Sequence, residues 1–169
     1  MIHVCPVSAL SILAQRHRPG HVISLLSPGQ VHHADAAADA RILALRFHDI
    51  AEADPSLVAP DAAMIEALVA FSRAWCAETP LLIHCWAGVS RSSAAAYIVA
   101  CEKNPGREDA IAAELRRRAP FATPNRLMVS LADELLKRGG RMSAAIARIG
   151  RGVDAFEGTP YALPAKWPG

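Results

Sequence analysis

Features that would place this chain in a membrane or in a secretory compartment are missing from its sequence. No uninterrupted apolar run approaches the roughly 20 residues that a bilayer-spanning helix needs. The stretch from Met1 to Ala9 lacks both the basic start and the long apolar segment of a secretion signal. We therefore expect a protein that does not bind membranes and that is located in the cytoplasm.

Cysteine pairs and metal-ligand spacings are also missing. The four cysteines are Cys5, Cys76, Cys85 and Cys101. They form no C-x-x-C motif, which together with the missing secretion signal favours reduced thiols. His32 and His33 are adjacent in a predicted loop, a spacing that does not suit two ligands on one element. The sequence predicts no bound metal and no cofactor.

The sequence also has little excess of charge of either sign. The formal net charge of +2 is too small to indicate a nucleic-acid partner. The cations are dispersed except at 116–118, where three arginines predict a solvated helix face. Arginine far outnumbers lysine, which is typical of GC-rich coding and favours a bacterial source. A length of 169 residues with 52% hydrophobic content fits one globular domain, which would bury roughly 70% of the surface of its unfolded chain.

The first half of the chain alternates short apolar runs with helical patterns. Strands are predicted at 2–5, 21–26, 42–47 and 81–84. Ser8 is a plausible cap for a helix over 8–17. A second helix, started by Pro60 and closed by Pro80, presents one buried face. That face comprises Ile65, Leu68, Val69, Ser72 and Cys76. Trp75 beside it is interpreted as a packing residue.

The second half is helical. Helices are predicted at 92–101, 107–118, 124–138 and about 142–149. The first is apolar on nearly all sides and should be central, and the third has Thr123 as its cap and Pro124 at its first position. Strands separated by helices predict an α/β fold, with a mostly parallel sheet of four to five strands flanked by helices. We expect one domain over 1–150 and an irregular C-terminal tail over 151–169.

The string IHCWAGVSRSS at 83–93 joins a buried strand to the central helix. A tight loop there would point backbone N–H groups and a helix N-terminus into one concavity that suits a tetrahedral oxyanion. Arg91 can add a bidentate fork, and Gly88 supplies backbone freedom. Thiolates in such surroundings titrate at about 3.5–7.5 instead of about 8.5. Cys85 is therefore a candidate nucleophile, although a cysteine and an arginine at this spacing also occur by chance, and a lone buried cysteine is often inert.

The full pattern His-Cys-x-x-Gly-x-Ser-Arg-Ser at 84–92 resembles the signature of cysteine-dependent protein tyrosine phosphatases, specifically the compact dual-specificity group. The segment ATPNRLMVSLADELL at 122–136 is similar to the Pro-Asn-containing helix that follows the signature helix in that group. The resemblance covers roughly residues 20 to 138, and outside the signature it concerns the order of elements. It implies that residues 1–150 form a phosphatase-like catalytic domain.

The resemblance also implies roles for individual residues. Cys85 would attack phosphorus to give a cysteinyl-phosphate, and Ser92 would help the thiolate leave in a second step. The equatorial oxygens would be held by Arg91 and by the loop N–H groups. Those N–H groups belong to Trp86, Ala87, Gly88, Val89, Ser90 and Arg91. His84 is implied to support the loop by hydrogen bonds, and no metal is required.

The leaving group needs a proton from a carboxylic acid outside the loop. Asp49 directly follows the strand at 42–47, where the family's strand order places the acid. Asp54 lies at a spacing closer to the usual one, and Glu52 is a third candidate. The connection is a few residues longer than typical, which makes the spacing unreliable, so we favour Asp49 on its position at the strand end. Asp54 before Pro55 also suits a turn.

The side chains of the loop bear on the substrate. Trp86, Ala87 and Val89 are uncharged, whereas lipid and inositol-polyphosphate phosphatases of the resembled superfamily tend to have lysines at these positions. The resemblance therefore implies phosphotyrosine or another aryl phosphate in preference to a highly anionic substrate. Trp86 would either line the substrate pocket or wedge the loop. The expected partner is a phosphorylated protein or a small-molecule phosphate. A phosphatase of a small metabolite, a non-catalytic phosphate-binding module and a thiol enzyme acting on sulfur or arsenate compounds are the alternatives.

Overall fold

Five strands form a single sheet in the computed structural model, which describes residues 1–31, 37, 39–52 and 54–167. His32 and His33 lie outside the described residues. The strands are β1 (Ile2–Pro6), β2 (His21–Leu26), β3 (Arg41–Arg46), β4 (Leu81–Cys85) and β5 (Tyr161–Leu163). Their spatial order is β3-β2-β4-β1-β5, with parallel pairing throughout except for β5, which runs antiparallel to β1. This arrangement confirms the predicted mostly parallel sheet.

Helices cover both faces of the sheet. They are α1 (Leu10–His17), α2 (Ala62–Ala74), α3 (Arg91–Lys103), α4 (Glu108–Arg118), α5 (Arg126–Leu135) and α6 (Arg141–Ile149). Alternate strand residues point to opposite faces: Cys5, Val22 and Leu82 pack with α1, whereas Val4, Ile23 and Ile83 belong to the larger core with the other helices. Helix α3 is buried from Arg91 to Cys101, as its apolar pattern predicted.

The parallel strands end at one edge of the sheet. Pro6 of β1 and Leu25 of β2 are both in register with Cys85 at the end of β4. The segments that follow β1, β2, β3 and β4 therefore converge beside the central strand, which is the usual position of a ligand site in an open α/β sheet.

Two predicted helix caps are wrong. Ser8 lies in a 3-10 turn (Val7–Ala9) that precedes α1, and its hydroxyl donates to Glu157 at 2.8 Å instead of capping the helix. Thr123 does not cap α5, which begins two residues later than Pro124. The cap is Asn125, whose side chain accepts a hydrogen bond from the N–H of Met128 at 3.0 Å. Asparagine is the better cap because its carbonyl oxygen reaches the third N–H without strain.

The predicted face of α2 is wrong at its last residue. The helix starts after Asp61, which accepts from the N–H of Met64 at 2.8 Å, and it ends at Ala74. Cys76 follows that end and is exposed. Trp75 turns inward, is fully buried and donates to the carbonyl of Thr79 at 2.8 Å. The packing role predicted for Trp75 is confirmed, and the buried position predicted for Cys76 is not.

The segment after Gly150 is more ordered than the predicted irregular tail. Residues Tyr161–Leu163 pair with β1, and Leu163 is fully buried. The arginines at 116–118 contribute to this order, so the predicted solvated face is wrong in part. Arg116 donates to the carbonyl of Gly150 at 2.8 Å, and Arg118 donates to that of Ala162 at 2.9 Å. A three-residue strand carries too little periodicity to be detected from sequence.

Candidate active site

The candidate site is the loop between β4 and α3, from Cys85 to Ser90. Cys85 is the last residue of the central strand and is 2% exposed. Its Sγ accepts a hydrogen bond from the N–H of Gly88 at 3.2 Å and lies 3.1 Å from the hydroxyl oxygen of Ser92. The sulfur is therefore at the floor of the loop, between a loop N–H and the first turn of α3.

Gly88 is required by the shape of the loop. Its φ angle of +72° lies in the left-handed region, which residues with a side chain rarely adopt. A Cβ at this position would also be 2.7 Å from the backbone nitrogen of Pro6 in β1. Both constraints follow from the close approach of the loop to the neighbouring strand.

The loop carbonyls are held on the outside of the loop. Backbone N–H groups of surrounding segments donate to four of them: Val7 to Trp86 (3.1 Å), Gly158 to Ala87 (2.8 Å), Thr123 to Val89 (3.0 Å) and Asn125 to Ser90 (3.4 Å). In a planar trans peptide the carbonyl and the following N–H point in opposite directions. Anchoring each carbonyl outward therefore directs the next N–H into the loop.

The N-terminus of α3 faces the same concavity. Ser90 occupies the capping position, but its side chain makes no cap hydrogen bond and donates to Asp49 instead. Ser93 donates to the carbonyls of Val89 (2.5 Å) and Ser90 (2.9 Å), which tightens the start of the helix. The first N–H groups of α3 consequently have no side-chain cap, an arrangement that favours an anion.

Arg91 is 5% exposed, and contacts on one side orient its guanidinium. Nη1 donates to the carbonyl of Phe47 at 2.8 Å and to the hydroxyl of Ser27 at 3.3 Å. Nε lies 3.9 Å from a carboxylate oxygen of Asp49 and makes no hydrogen bond to any described residue. A buried N–H without a partner is unfavourable. The side of the guanidinium that carries Nε is therefore the side on which a ligand oxygen would be accommodated.

Asp49 lies over the loop, three residues beyond the end of β3. One carboxylate oxygen accepts hydrogen bonds from the hydroxyl of Ser90 at 2.7 Å and from the side-chain amide of Asn125 at 2.8 Å. Its side chain is 36% exposed. The structure thus brings Asp49 to Arg91 and the loop while keeping it accessible from solvent.

The other two candidate acids make no such contacts. Asp54 is exposed and accepts hydrogen bonds from the N–H and the hydroxyl of Ser56, at 2.9 and 2.7 Å. These hydrogen bonds lower the pKa of Asp54 and hold its side chain in the local turn, away from the loop. Asp54 is thus a turn residue, as its position before Pro55 allowed. Glu52 is exposed on the same connection.

The remaining loop side chains differ in burial. Trp86 is 46% exposed, which places it at the rim of the site. Val89 is half-buried and packs against the core. His84 is buried within β4.

Three contributors to the site were missed in the sequence. Asn125 holds Asp49, and Ser27 and the carbonyl of Phe47 hold Arg91. Asn125 could have been found from the sequence, because an asparagine three residues before Met128 is a favourable helix cap. No sequence pattern indicates Ser27 or Phe47, because they reach Arg91 only where the ends of the strands converge.

A cavity of about 420 Å³ opens beside the loop. Its lining includes Asp49, Ser90, Pro124, Asn125, Arg126 and Arg151. The candidate acid therefore has open space next to it.

The buried cysteines differ chemically from an accessible thiol. Burial is the main cause that raises the pKa of Cys5 to about 12 and that of Cys101 to about 12. Cys5 packs on the α1 face of the sheet, whereas Cys85 belongs to the core on the other face. Neighbouring strands thus place these two side chains on opposite sides of the sheet.

Within the described ranges no three His, Cys, Asp or Glu side chains come together as a group able to hold a metal ion. Among the helices of the same residues, none has the length and apolarity to cross a membrane.

No protein-family model and no curated protein matches the sequence. Solved structures do match. The phosphatase domain of Yvh1 from Chaetomium thermophilum is 18% identical with a TM-score of 0.61, over 83% of this chain and 93% of that chain. Human tyrosine phosphatase-like serine/threonine/tyrosine-interacting protein is 19% identical with a TM-score of 0.63, over 82% of this chain and 92% of the other. Human DUSP28 is 19% identical with a TM-score of 0.57, over 87% of this chain and 94% of that one.

These likenesses identify the fold. The chain has the α/β fold of the dual-specificity and related tyrosine phosphatase domains, as the resemblance of the 84–92 signature predicted.

Proposed function

We propose that this protein hydrolyses phosphate monoesters, with phosphotyrosine or another aryl phosphate as substrate, through a cysteinyl-phosphate intermediate. The observation that carries the proposal is the guanidinium of Arg91. It is buried and fixed by Ser27 and Phe47, and its Nε has no hydrogen-bond partner within the described residues. A phosphoryl group seated on the inward N–H groups would supply that partner.

In the first step the thiolate of Cys85 attacks phosphorus, an S–P bond forms and the bond from phosphorus to the leaving oxygen breaks. Arg91 and the loop N–H groups hold the equatorial oxygens. Asp49, in its protonated form, gives its proton to the leaving oxygen. Its contacts with Ser90 and Asn125 aim the carboxyl over the loop.

In the second step a water molecule attacks the cysteinyl-phosphate. Asp49, now ionised, accepts a proton from the water, the S–P bond breaks and inorganic phosphate leaves. The hydroxyl of Ser92 is 3.1 Å from Sγ and can donate to the departing thiolate. His84, buried at the end of β4, supports the loop from behind in this proposal.

The rim of the site supports the proposed substrate class. Trp86 offers a half-exposed aromatic surface beside the loop, and Ala87 and Val89 add no charge. An aryl group fits such a rim better than a substrate with several phosphates.

The test is turnover of para-nitrophenyl phosphate by the full chain, with and without a chelator. The steps above use no metal, so the chelator should leave the rate unchanged, and vanadate should inhibit. Arg91→Lys keeps the charge but loses the fork, and its rate should fall by about 10²-fold or more. Arg73→Lys, on an exposed residue of α2, is the matched control and should leave the rate unchanged.

Two outcomes would contradict the proposal. Phosphate or vanadate binding without any turnover would indicate a non-catalytic phosphate-binding module. Turnover that Arg91→Lys leaves unchanged would place the chemistry elsewhere.

A further inference from the structure

The segment that follows α6, residues 151–163, runs along the outer side of the candidate phosphate loop. We call it the C-terminal segment. Its N–H groups bond to two regions of the protein. Gly152 donates to the hydroxyl of Thr123 at 3.1 Å and Val153 to the carbonyl of Pro120 at 3.0 Å. Gly158 donates to the carbonyl of the loop residue Ala87 at 2.8 Å.

The hydrogen bond from Gly158 acts on the peptide unit that joins Ala87 to Gly88. The N–H of this same unit donates to Sγ of Cys85 at 3.2 Å. Because the unit is planar and trans, fixing its carbonyl on the outside fixes its N–H towards the sulfur. One peptide group thus connects the C-terminal segment to the candidate nucleophile.

Packing holds Gly158 in the position from which it donates. A Cβ on Gly158 would lie 2.2 Å from Cε2 of Phe121, so the segment approaches that ring more closely than a residue with a side chain could. Tyr161 packs edge-on against the same ring, with 6.1 Å between centroids. Strand β5 continues from there along β1, where Leu163 is fully buried. The position of the Gly158 N–H is therefore fixed by packing against the core.

We propose that the C-terminal segment is a positioning element for the phosphate loop, and that the N–H of Gly158 is the positioning group that directs the N–H of Gly88 to the thiolate of Cys85. The proposal deepens the proposed function, since it rests on Cys85 being the nucleophile. It assigns a role to a part of the chain that lies outside the signature.

Other groups lie near the sulfur. Ser92 on α3 is 3.1 Å from Sγ, and Arg91, with Asp49 beside it, begins the same helix. Tyr161 on β5 and Cys5 on β1 interact with Cys85 electrostatically, Cys5 from the opposite face of the sheet, to which the neighbouring His84 also points. Burial and the charge of Cys85 raise the pKa of Tyr161 well above its usual value and that of Cys5 to about 12. Both are neutral near pH 7, so β1 and β5 add no charge there. The stabilisation that the C-terminal segment gives to the thiolate is therefore that of a directed dipole.

The test replaces the amide at Gly158 by an ester, through incorporation of glycolic acid, which removes the N–H donor without adding a side chain. The rate of alkylation by iodoacetamide at Cys85 is followed against pH. Weakening one hydrogen bond to a thiolate should raise the pH of half-maximal alkylation by about 0.5–1 unit. At pH values below that midpoint, alkylation should slow by about three- to tenfold.

The matched control is an ester at Val153, which removes a hydrogen bond from the same segment to Pro120 and not to the loop. It should leave the midpoint unchanged while lowering the midpoint of thermal unfolding as much as the Gly158 ester does. A shift in the alkylation midpoint that is equal in both esters, or absent in both, overturns the proposal.

A second variant keeps the test independent of ester incorporation. Gly158→Ala should move the segment away from Ala87, since the new Cβ collides with Phe121, and alkylation should show the same shift. Phe121→Ala removes the obstacle, so the double variant should recover the original midpoint; failure to recover overturns the proposal. Alkylation does not depend on turnover. A protein that shows these shifts but no phosphatase activity contradicts the proposed function and leaves the positioning role intact.

Discussion

The phosphate loop and the C-terminal segment lie against each other but differ in what they contribute. In the loop, Cys85 and Arg91 are the proposed functional groups, and neighbouring residues provide N–H groups. The C-terminal segment donates one backbone N–H to the loop and otherwise contributes packing contacts. Phe156 near its centre is 95% exposed.

The difference shows that the proposed functional groups of this site come from one short stretch of sequence, whereas the shape of the loop depends on distant segments. The four anchored carbonyls of the loop accept from residues at 7, 123, 125 and 158, which are distant in sequence. Changes to the loop's functional groups should therefore have the largest effects on activity, changes to its shape smaller ones, and changes to exposed side chains of the C-terminal segment the smallest.

The largest effect is expected for Cys85→Ser. Serine is a poor nucleophile in this position, so turnover of an aryl phosphate should disappear while phosphate binding persists, because Arg91 and the N–H groups remain. Cys76→Ser, on the exposed cysteine after α2, is the control and should retain full activity. Residual activity above a few per cent in Cys85→Ser would show that the chemistry does not depend on the loop cysteine.

The next largest effect is expected for Asp49→Asn. The rate constant kcat should fall by about 10²–10⁴ for a substrate with a poor leaving group, and by much less for a good one, because only the former needs the proton. Asp54→Asn is the matched control and should have little effect, since Asp54 bonds to Ser56. The opposite pattern would assign the acid to Asp54.

A change of loop shape should have an intermediate effect. Gly88→Ala introduces a side chain at φ +72° and a contact of 2.7 Å with β1. Activity should drop by about tenfold or more as the N–H groups turn away from the anion. Gly106→Ala has a similar φ of +82° but no atom within 4 Å of its Cβ. It should lose only about 1 kcal/mol of unfolding free energy and keep its activity; equal losses of activity in both would refute the role of loop shape.

Oxidation should separate the four cysteines. Peroxide should convert Cys85 to a sulfenic acid first, and bound phosphate should protect it. Cys76, which is exposed, should react more slowly and without protection by phosphate. Cys5 and Cys101, with pKa values of about 12, hold almost no thiolate at neutral pH and should react last. Mass spectrometry of treated protein would show the order, and early oxidation of a buried cysteine would contradict it.

The smallest effect is expected for Phe156→Ser. The ring is almost fully exposed, so activity, alkylation and thermal unfolding should all stay within error of the original protein. A loss of activity with an intact fold would show that the C-terminal segment contacts substrate through its side chains.

Much of the fold could be read locally. The strand at 81–84, the turn at Gly88 and the helix from Arg91 follow one another without a gap, so periodicity and backbone freedom were enough to predict them. Asp49 was favoured because it follows the strand after which the resembled family carries its acid, an expectation that needs only the order of strands.

Other features depended on which distant segments meet. Strand β5 exists because β1 had an open edge, and its three residues carry no periodicity of their own. Asn125 holds Asp49, Arg116 holds Gly150, and Gly158 holds the loop carbonyl, in each case over a long sequence separation. By itself the sequence determined which groups are candidates for the chemistry and their order along the chain. The tertiary structure decided how those groups are oriented, because a hydrogen bond between two remote segments is not predicted by the local pattern of either segment.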